Sequence, residues 1–597
     1  MSGRRETYSI LSSVRICVRC HPSVSVTIIL LYVLQGFTPI LLTLSSGAVI
    51  DASIRLLGSQ DYRPLFSSLS VLLLAVSYDW VSNQLTGLLR LRLQIAVRTK
   101  FCPRIVEHIS RLNYRYVEDP GTWDLISRVA GHTDESILHA FDSLLSFLSL
   151  IQKTAGLFLI LFFYAPLSSV GVIVCSLPLT WLSLQGGKAS YAGICETQEY
   201  RRRYEALSGL LTSRKTAAER TLFGYQLYIN KAWEHAYRKW RTVNEGVNIR
   251  HFIKAKAGSI CLVWIAVFVM FLLIPEAVGG EVPPGLFMAL LSNFFALVQL
   301  MSWSLAASVS EIAGYHAFFD DMGVLFGLEL SERGEISARP EEFLSLEFRN
   351  VSFTYPGTSK KVLDGLSFCI TRGQSYSFVG ANGCGKTTIT KLITGLYDDY
   401  EGEIFINGVN IREWNHGRIA SFFSVVYQDF ARYGLSLYEN IAVGDDGYLA
   451  GKDIGQNDFQ EVMHALKLDR AACMLHYGVQ TGLGKMKRGS EDLSGGQWQR
   501  VAIARGLIGK RPVKILDEPT AALDPLAESA LYEMFQEISR KSTTITISHR
   551  LASARQTDII FVIDKGRVCG QGSHEFLYEN NSLYRQMYDS QRSWYSA

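Results

Sequence analysis

Long apolar runs are missing from the second half of this chain, which rules out membrane spans there. A strong charge of one sign is missing too. The net charge is +4 over 597 residues, so bulk nucleic-acid binding is not suggested and no nucleic-acid partner is expected. Cysteine is sparse: ten residues, scattered, with no disulfide spacing pattern. One local run, "CVRCH" from Cys17 to His21, matches the C-x-x-C-H of covalent haem attachment. Arg4, Arg5, Arg15 and Arg19 put it on the cytoplasmic side, where haem is not attached by that route. No cleavable signal precedes it, so a basic amphipathic helix with two incidental thiols is expected.

What the second half lacks, the first half has. Six apolar stretches are long enough to cross about 30 Å of hydrocarbon, which takes ~20 helical residues. They lie near residues 24–47, 66–88, 143–165, 167–186, 258–278 and 284–308. Lys and Arg set their orientation. Arg90, Arg92, Arg98, Lys100 and Arg104 crowd the connection after the second stretch, and Arg201, Arg202, Arg203, Arg214 and Lys215 the one after the fourth. The opposite loops hold only Arg55 and Arg63. Both long connections and both termini are therefore expected in the cytoplasm.

Each long connection is rich in helix formers and reads as two arms joined by a turn. At 1.5 Å rise per residue, each arm would reach about 35–40 Å. The turns fall at Glu118–Arg128 and Thr221–Tyr228, where Trp123, Leu125, Ile126, Phe223, Tyr225 and Tyr228 suit contact with a soluble domain. Asp79 and Lys153 are charges inside spans, which cost several kcal/mol unless paired or wet. They are expected to pair with each other or to line a polar cavity. Snorkelling to the interface is the plainer reading of Lys153.

From about residue 325 the composition changes. A charged linker, "LELSERGEISARPEE", leads into β-rich runs alternating with helical runs, the pattern of an α/β domain. "SFVGANGCGKTTITKLITGL" gives G-x-x-x-x-G-K-T from Gly380 to Thr387, after an apolar strand and before a helix. That context is the one a phosphate-binding P-loop requires. Its amides and helix N-terminus favour anions. Lys386 would contact the β- and γ-phosphates, and the Thr387 hydroxyl would ligate Mg²⁺. "VKILDEPT" ends a strand in two carboxylates. Asp517 suits the outer shell of Mg²⁺, and Glu518 is placed to polarise an attacking water. "TISHRL" puts His549 after another apolar strand, within reach of a γ-phosphate.

With these motifs in order, the sequence resembles an ATP-binding cassette (ABC) transporter of the exporter type, a half-transporter with its membrane domain first. The resemblance covers nearly the whole chain. It implies an α-helical membrane domain of six transmembrane helices with long cytoplasmic extensions, plus an α/β P-loop nucleotide-binding domain. The boundaries are 1–325 for the membrane domain, 326–345 for the linker and 346–597 for the cassette.

The resemblance also implies site roles. Tyr355 matches the aromatic residue that stacks on adenine. Gly380, Asn382, Gly383, Cys384, Gly385, Lys386, Thr387 and Thr388 fall within Walker A. Gln428 matches the glutamine that touches Mg²⁺ and senses the membrane domain. Asp517 and Glu518 match Walker B and its catalytic glutamate, and His549 matches the switch histidine. Ser494, Gly495, Gly496 and Gln497 of "LSGGQWQR" match the signature. With Asp524 of "AALD", they would serve the nucleotide of a second copy. No motif is degenerate, so two copies of this chain could build two competent ATP sites.

Departures from the family are small. Cys384 in the P-loop predicts sensitivity to thiol reagents. "TGLGKMKRGSED" and the ending "GGQWQR" look more like exporters of ribosomally made peptides such as lantibiotics. No protease domain precedes the first span, so any leader is expected to be removed elsewhere. The implied protein is a multi-pass ATPase of the bacterial cytoplasmic membrane that uses ATP and Mg²⁺. It works as a dimer, by preference a homodimer, with a peptide cargo. A lipid flippase or multidrug pump on the same fold is the main alternative. An ATP-gated channel or regulator is disfavoured by Glu518 and His549, and a cassette protein without transport is contradicted by the apolar runs.

Overall fold

Proline sets where the first long helices begin. Pro22 opens Pro22–Leu56, and Pro64 stands in the first turn of Arg63–Lys100, where a missing N–H costs nothing. Pro39 lies inside the first of these and leaves the Gln35 carbonyl without its helical donor. The Thr38 hydroxyl donates to that carbonyl at 2.5 Å, so the break is repaired locally. The computed structural model describes residues 8–57, 61–164, 200–278, 283–299, 304–331, 341–445, 456–484, 490–518, 542–548 and 551–593, except Arg202 and Lys215.

Among the described residues, Pro22–Leu56, Arg63–Ser110 and Thr133–Ile160 are long and apolar enough to cross a membrane. They contain most of the first three expected spans. The fourth, near 167–186, lies outside the described residues. The fifth is the end of Gln226–Val278. The sixth comprises Pro284–Gln299 and the start of Leu305–Gly327, with 300–303 outside the description. Helix lengths far exceed the bilayer. Arg63–Lys100 has 38 residues and Gln226–Val278 has 53, about 57 and 80 Å of helix at 1.5 Å per residue. Two glycines draw Pro22–Leu56 against Thr133–Tyr164. A Cβ on Gly36 would meet Gln152 Oε1 at 2.3 Å, and one on Gly156 would meet Ile40 Cδ1 at 2.3 Å. Small residues of this kind bring membrane helices into contact. The amphipathic helix Ser12–Cys20 buries Ile16, Cys17 and Cys20 together, so both thiols of "CVRCH" are packing groups.

The chain forms two compact units, Met1–Ser110 with Asp124–Leu328, and Arg111–Trp123 with Glu329–Ala597. The second unit carries two sheets. Strands β1 (Ser345–Thr354), β2 (Lys361–Thr371), β4 (Glu401–Ile406) and β5 (Val409–Asn410) form an antiparallel sheet in the order β2-β1-β4-β5. The other sheet uses β3 (Ser375–Val379), β6 (Phe423–Val426), β7 (Val513–Asp517), β8 (Thr543–Ile547), β9 (Ile559–Asp564) and β10 (Arg567–Gly572). Its order is β10-β9-β3-β8-β7-β6, parallel except at β10. Every residue of β3 and β7 is buried, as expected for strands covered on both faces. The carboxyl ends of such strands are where open α/β sheets bind ligands. Gly380, Gln428 and Glu518 all follow these ends.

Candidate functional site: a phosphate loop with two carboxylates

The P-loop is shaped by glycines that no other residue could replace without strain. Gly383 and Gly385 have φ of 75° and 107°, a region side chains disfavour. At Gly385 a Cβ would also come within 2.6 Å of Leu363 Cδ2. The loop runs from β3 into the helix Lys386–Ile393, whose free N–H groups face the loop's hollow. Lys386 is buried, and its Nζ donates to the carbonyls of Gly380 and Ala381 at 2.9 and 3.0 Å. Asn382, Gly383 and Thr387 are exposed, while Thr388 is buried and within 3.0 Å of the Tyr355 hydroxyl.

One strand separates β3 from β7, which ends at Asp517. That carboxylate is 1 % exposed, and neither oxygen has a well-aligned hydrogen bond. Burial pushes its pKa up to about 6; the Thr387 hydroxyl opposes the rise and Glu518 adds to it. A buried carboxylate left this way is costly unless a cation or donor completes it. The site therefore fits a divalent ion beside Thr387. Glu518 takes φ of 48° and its N–H donates to the Ile547 carbonyl at 2.9 Å. The Gln428 amide donates to Glu518 Oε2 at 2.9 Å. The fold thus gathers Lys386, Thr387, Asp517, Glu518 and Gln428 from separate segments. His549 and Asp524 lie outside the described residues.

Ser494, Gly495, Gly496 and Gln497 stand apart from this group; among the described residues no hydrogen bond joins them to the P-loop. Ser494 caps the helix Gly495–Ile508. Its Oγ accepts from the Gln497 N–H at 3.3 Å, and Gln497 Oε1 accepts from the Ser494 N–H at 2.9 Å. This reciprocal capping box fixes the Ser-Gly-Gly turn and leaves other amides of the first turn for an anion.

Comparisons with known proteins bear on this arrangement. The ABC transporter family matches residues 363–521. The subtilin transport ATP-binding protein SpaT of Bacillus subtilis is 29% identical over 509 residues, 84% of this chain and 81% of SpaT. The ATP-dependent lipid A-core flippase of Vibrio cholerae is 28% identical over 494 residues, 81% of each chain. A bacterial Atm1-family ABC exporter, solved with ATP bound, superposes with a TM-score of 0.77 at 22% identity, covering 96% of this chain and 98% of its own. The chain carries an ABC transporter domain at residues 363–521 on an exporter fold. It binds ATP and couples its hydrolysis to transport across a membrane.

One sequence reading needs correction. Cys384 is buried beside Lys386, at 3.7 Å from Sγ to Nζ. Burial raises its pKa, although Lys386 pulls the other way. The thiol stays protonated and covered, and high sensitivity to thiol reagents does not follow. Trp498 of "GGQWQR" is a core residue, 1 % exposed among Leu437, Ile441, Leu468 and Val501, with Nε1 donating to Asp492 at 2.9 Å.

Sequence reasoning also missed a cluster around the expected adenine stacker. Glu118, in the short helix Tyr114–Glu118 of the second unit, accepts from Lys391 at 2.6 Å, from Tyr114 at 2.8 Å and from Tyr397. Burial pushes the Glu118 carboxyl up, but these three donors outweigh it and hold the group below its ordinary value. Lys391 sits 5.3 Å from the Tyr355 ring centre. The turn at Glu118 was legible as a contact point; its partners were not.

Proposed function

We infer that this exporter moves a peptide out of the bacterial cytoplasm, as a homodimer in the cytoplasmic membrane with both termini inside. The domains on this reading are 1–325, 326–345 and 346–597. The observation that carries the ATPase mechanism is the meeting of Asp517, Glu518 and Gln428 beside the P-loop. Mg²⁺ held by Thr387, Gln428 and Asp517 would neutralise phosphate charge. Lys386 and the loop amides bind the phosphates, and Tyr355 stacks on adenine. Glu518, steadied by Gln428, takes the proton of the attacking water, with His549 aiding. Ser494, Gly495, Gly496, Gln497 and Asp524 close on the nucleotide of the second copy. ATP drives the cycle because it binds the closed dimer better than the open one.

Similarity to SpaT and to lantibiotic exporters supports a peptide. The flippase similarity, over 81% of this chain against 84% for SpaT, supports a lipid as the second reading. The test uses purified protein in liposomes, challenged with a peptide, a phosphorylated glycolipid and a dye. Peptide-stimulated ATP turnover with vesicular peptide uptake supports the first reading; stimulation by the glycolipid alone replaces it with the second. Glu518→Gln should retain ATP and lose hydrolysis, and sustained turnover in that variant would sink the catalytic assignment.

A further inference from the structure

A cleft of about 450 Å³ opens in the first unit among Pro22–Leu56, Arg63–Lys100, Thr133–Tyr164 and the start of Leu305–Gly327. Its lining is polar, with Tyr32, Gln35, Asn83, Arg90, Asp142 and Lys153 the largest polar groups. The same helices expose Leu34, Leu41, Leu73, Leu74 and Phe163 elsewhere. Polar side chains at membrane depth mark pathways or binding sites, because hydrocarbon penalises them.

Among the described residues lining the cleft, two cations, Arg90 and Lys153, stand with one carboxylate, Asp142. Arg90 pairs with Asp142 at 2.8 Å and also reaches His139 at 3.0 Å. Gln35 is committed: its amide donates to Ser82 at 2.9 Å and to Asn83 at 3.1 Å. Asn83 in turn lies 3.5 Å from Asp79, so the second charge expected within the spans stays next to Asn83. Lys153 is half-buried and, among the described residues, has no hydrogen bond or ion pair. Lys153 is thus the charge without a partner among the described lining residues.

We propose that this cleft binds one carboxylate of the exported peptide, and that Lys153 is the residue that selects it. The proposal rests on the peptide reading above and narrows it. One ammonium matches one carboxylate, whereas a phosphate monoester brings about −1.5 to −2. The surrounding hydroxyls and amides suit peptide N–H and C=O groups. A volume of this size takes a few residues rather than a whole cargo, so the cleft reads a local feature of the peptide.

The experiment uses the full chain in liposomes and three synthetic peptides, identical except for one central Glu, Gln or Lys, each with its C-terminus amidated. A phosphorylated glycolipid forms a fourth arm. Half-maximal stimulation of ATP turnover is read for wild type, Lys153→Met, Lys153→Arg and Lys153→Glu. We expect wild type to prefer the Glu peptide over the Gln peptide about tenfold or more, the weight of a charge-assisted hydrogen bond. Lys153→Met should lose that preference, Lys153→Arg should keep most of it, and Lys153→Glu should turn it toward the Lys peptide. The inverted preference cannot come from a misfolded variant. Equal response of wild type to Glu and Gln peptides, or an undiminished preference in Lys153→Met, overturns the proposal and leaves peptide export standing. Response to the glycolipid alone overturns both.

Discussion

Lys386 ends with its ammonium on two carbonyls of its own loop, Gly380 and Ala381, while Lys153 ends in a cleft with no described partner. Both stand where an anion is expected. The first is held by backbone that a dozen consecutive residues dictate, so its position survives changes elsewhere. The second is held by four helices brought together over 277 residues, from Tyr32 to Ser308. A phosphate loop can therefore be shared by unrelated exporters, while a cargo cleft can vary from one to the next. The largest prediction tests this contrast directly. Lys386→Met should cut ATP turnover by about 10²–10³-fold, the scale of losing a preorganised electrostatic contact. Lys386→Arg should not restore it, because a planar guanidinium cannot enter the closed carbonyl cradle. Lys153→Arg, by contrast, should keep function. Turnover in Lys386→Arg close to wild type would break the comparison.

A third lysine sharpens it. Lys514 in β7 is buried, donating to the Gly509 carbonyl at 2.5 Å and to Ser424 at 3.2 Å. Burial, helped by Arg511, pushes its pKa down from 10.5 to about 8. From pH 8 to 10.5 the unfolded chain holds a proton that the folded site has lost. Stability should therefore rise with pH across that window, by an amount on the order of 3 kcal/mol. Lys514→Met should lack this rise. The check is the unfolding midpoint of both full-length proteins at several pH values; parallel curves would show that Lys514 is not buried as described.

The ion pair beside Lys153 gives a smaller effect. Asp142→Asn leaves Arg90 without its counter-charge in the cleft. The expected loss of stability is about 1–2 kcal/mol, below the range for fully buried pairs because the Arg90 side chain is 38% exposed. Adding Arg90→Gln should recover part of it. A double variant as unstable as the sum of the singles would show that the pair carries no coupling.

These cases also show why one site was legible in sequence and the other was not. Gly380 to Thr388 and Asp517-Glu518 each lie within one short segment, so their spacing alone encodes the geometry. The φ of 48° at Glu518 and the tight seat of Gly385 depend on neighbours such as Ile547 and Leu363, which no motif names. Glu118 meets Lys391 across 273 residues. Arg90 and Asp142 meet from two separate helices, Arg63–Lys100 and Thr133–Tyr164. Lys153 was visible as an odd charge in an apolar run; its surroundings required the fold.

The smallest effect concerns Cys384, whose Sγ lies 3.7 Å from the Lys386 Nζ. If the cradle is as closed as its carbonyl contacts indicate, Cys384 should react with a maleimide at least about tenfold more slowly than the exposed Cys473 in the same unit. The comparison is internal, since both thiols are read in one sample by peptide mapping, and it is made without nucleotide so that ATP does not itself provide shielding. Saturating ATP should then add little further protection. Labelling at Cys384 as fast as at Cys473, with strong protection by ATP, would mean that the loop opens in the absence of nucleotide. In that case Lys386 would share the freedom assigned here to Lys153, and the contrast between the two lysines would be one of ligand occupancy rather than of how the fold holds them.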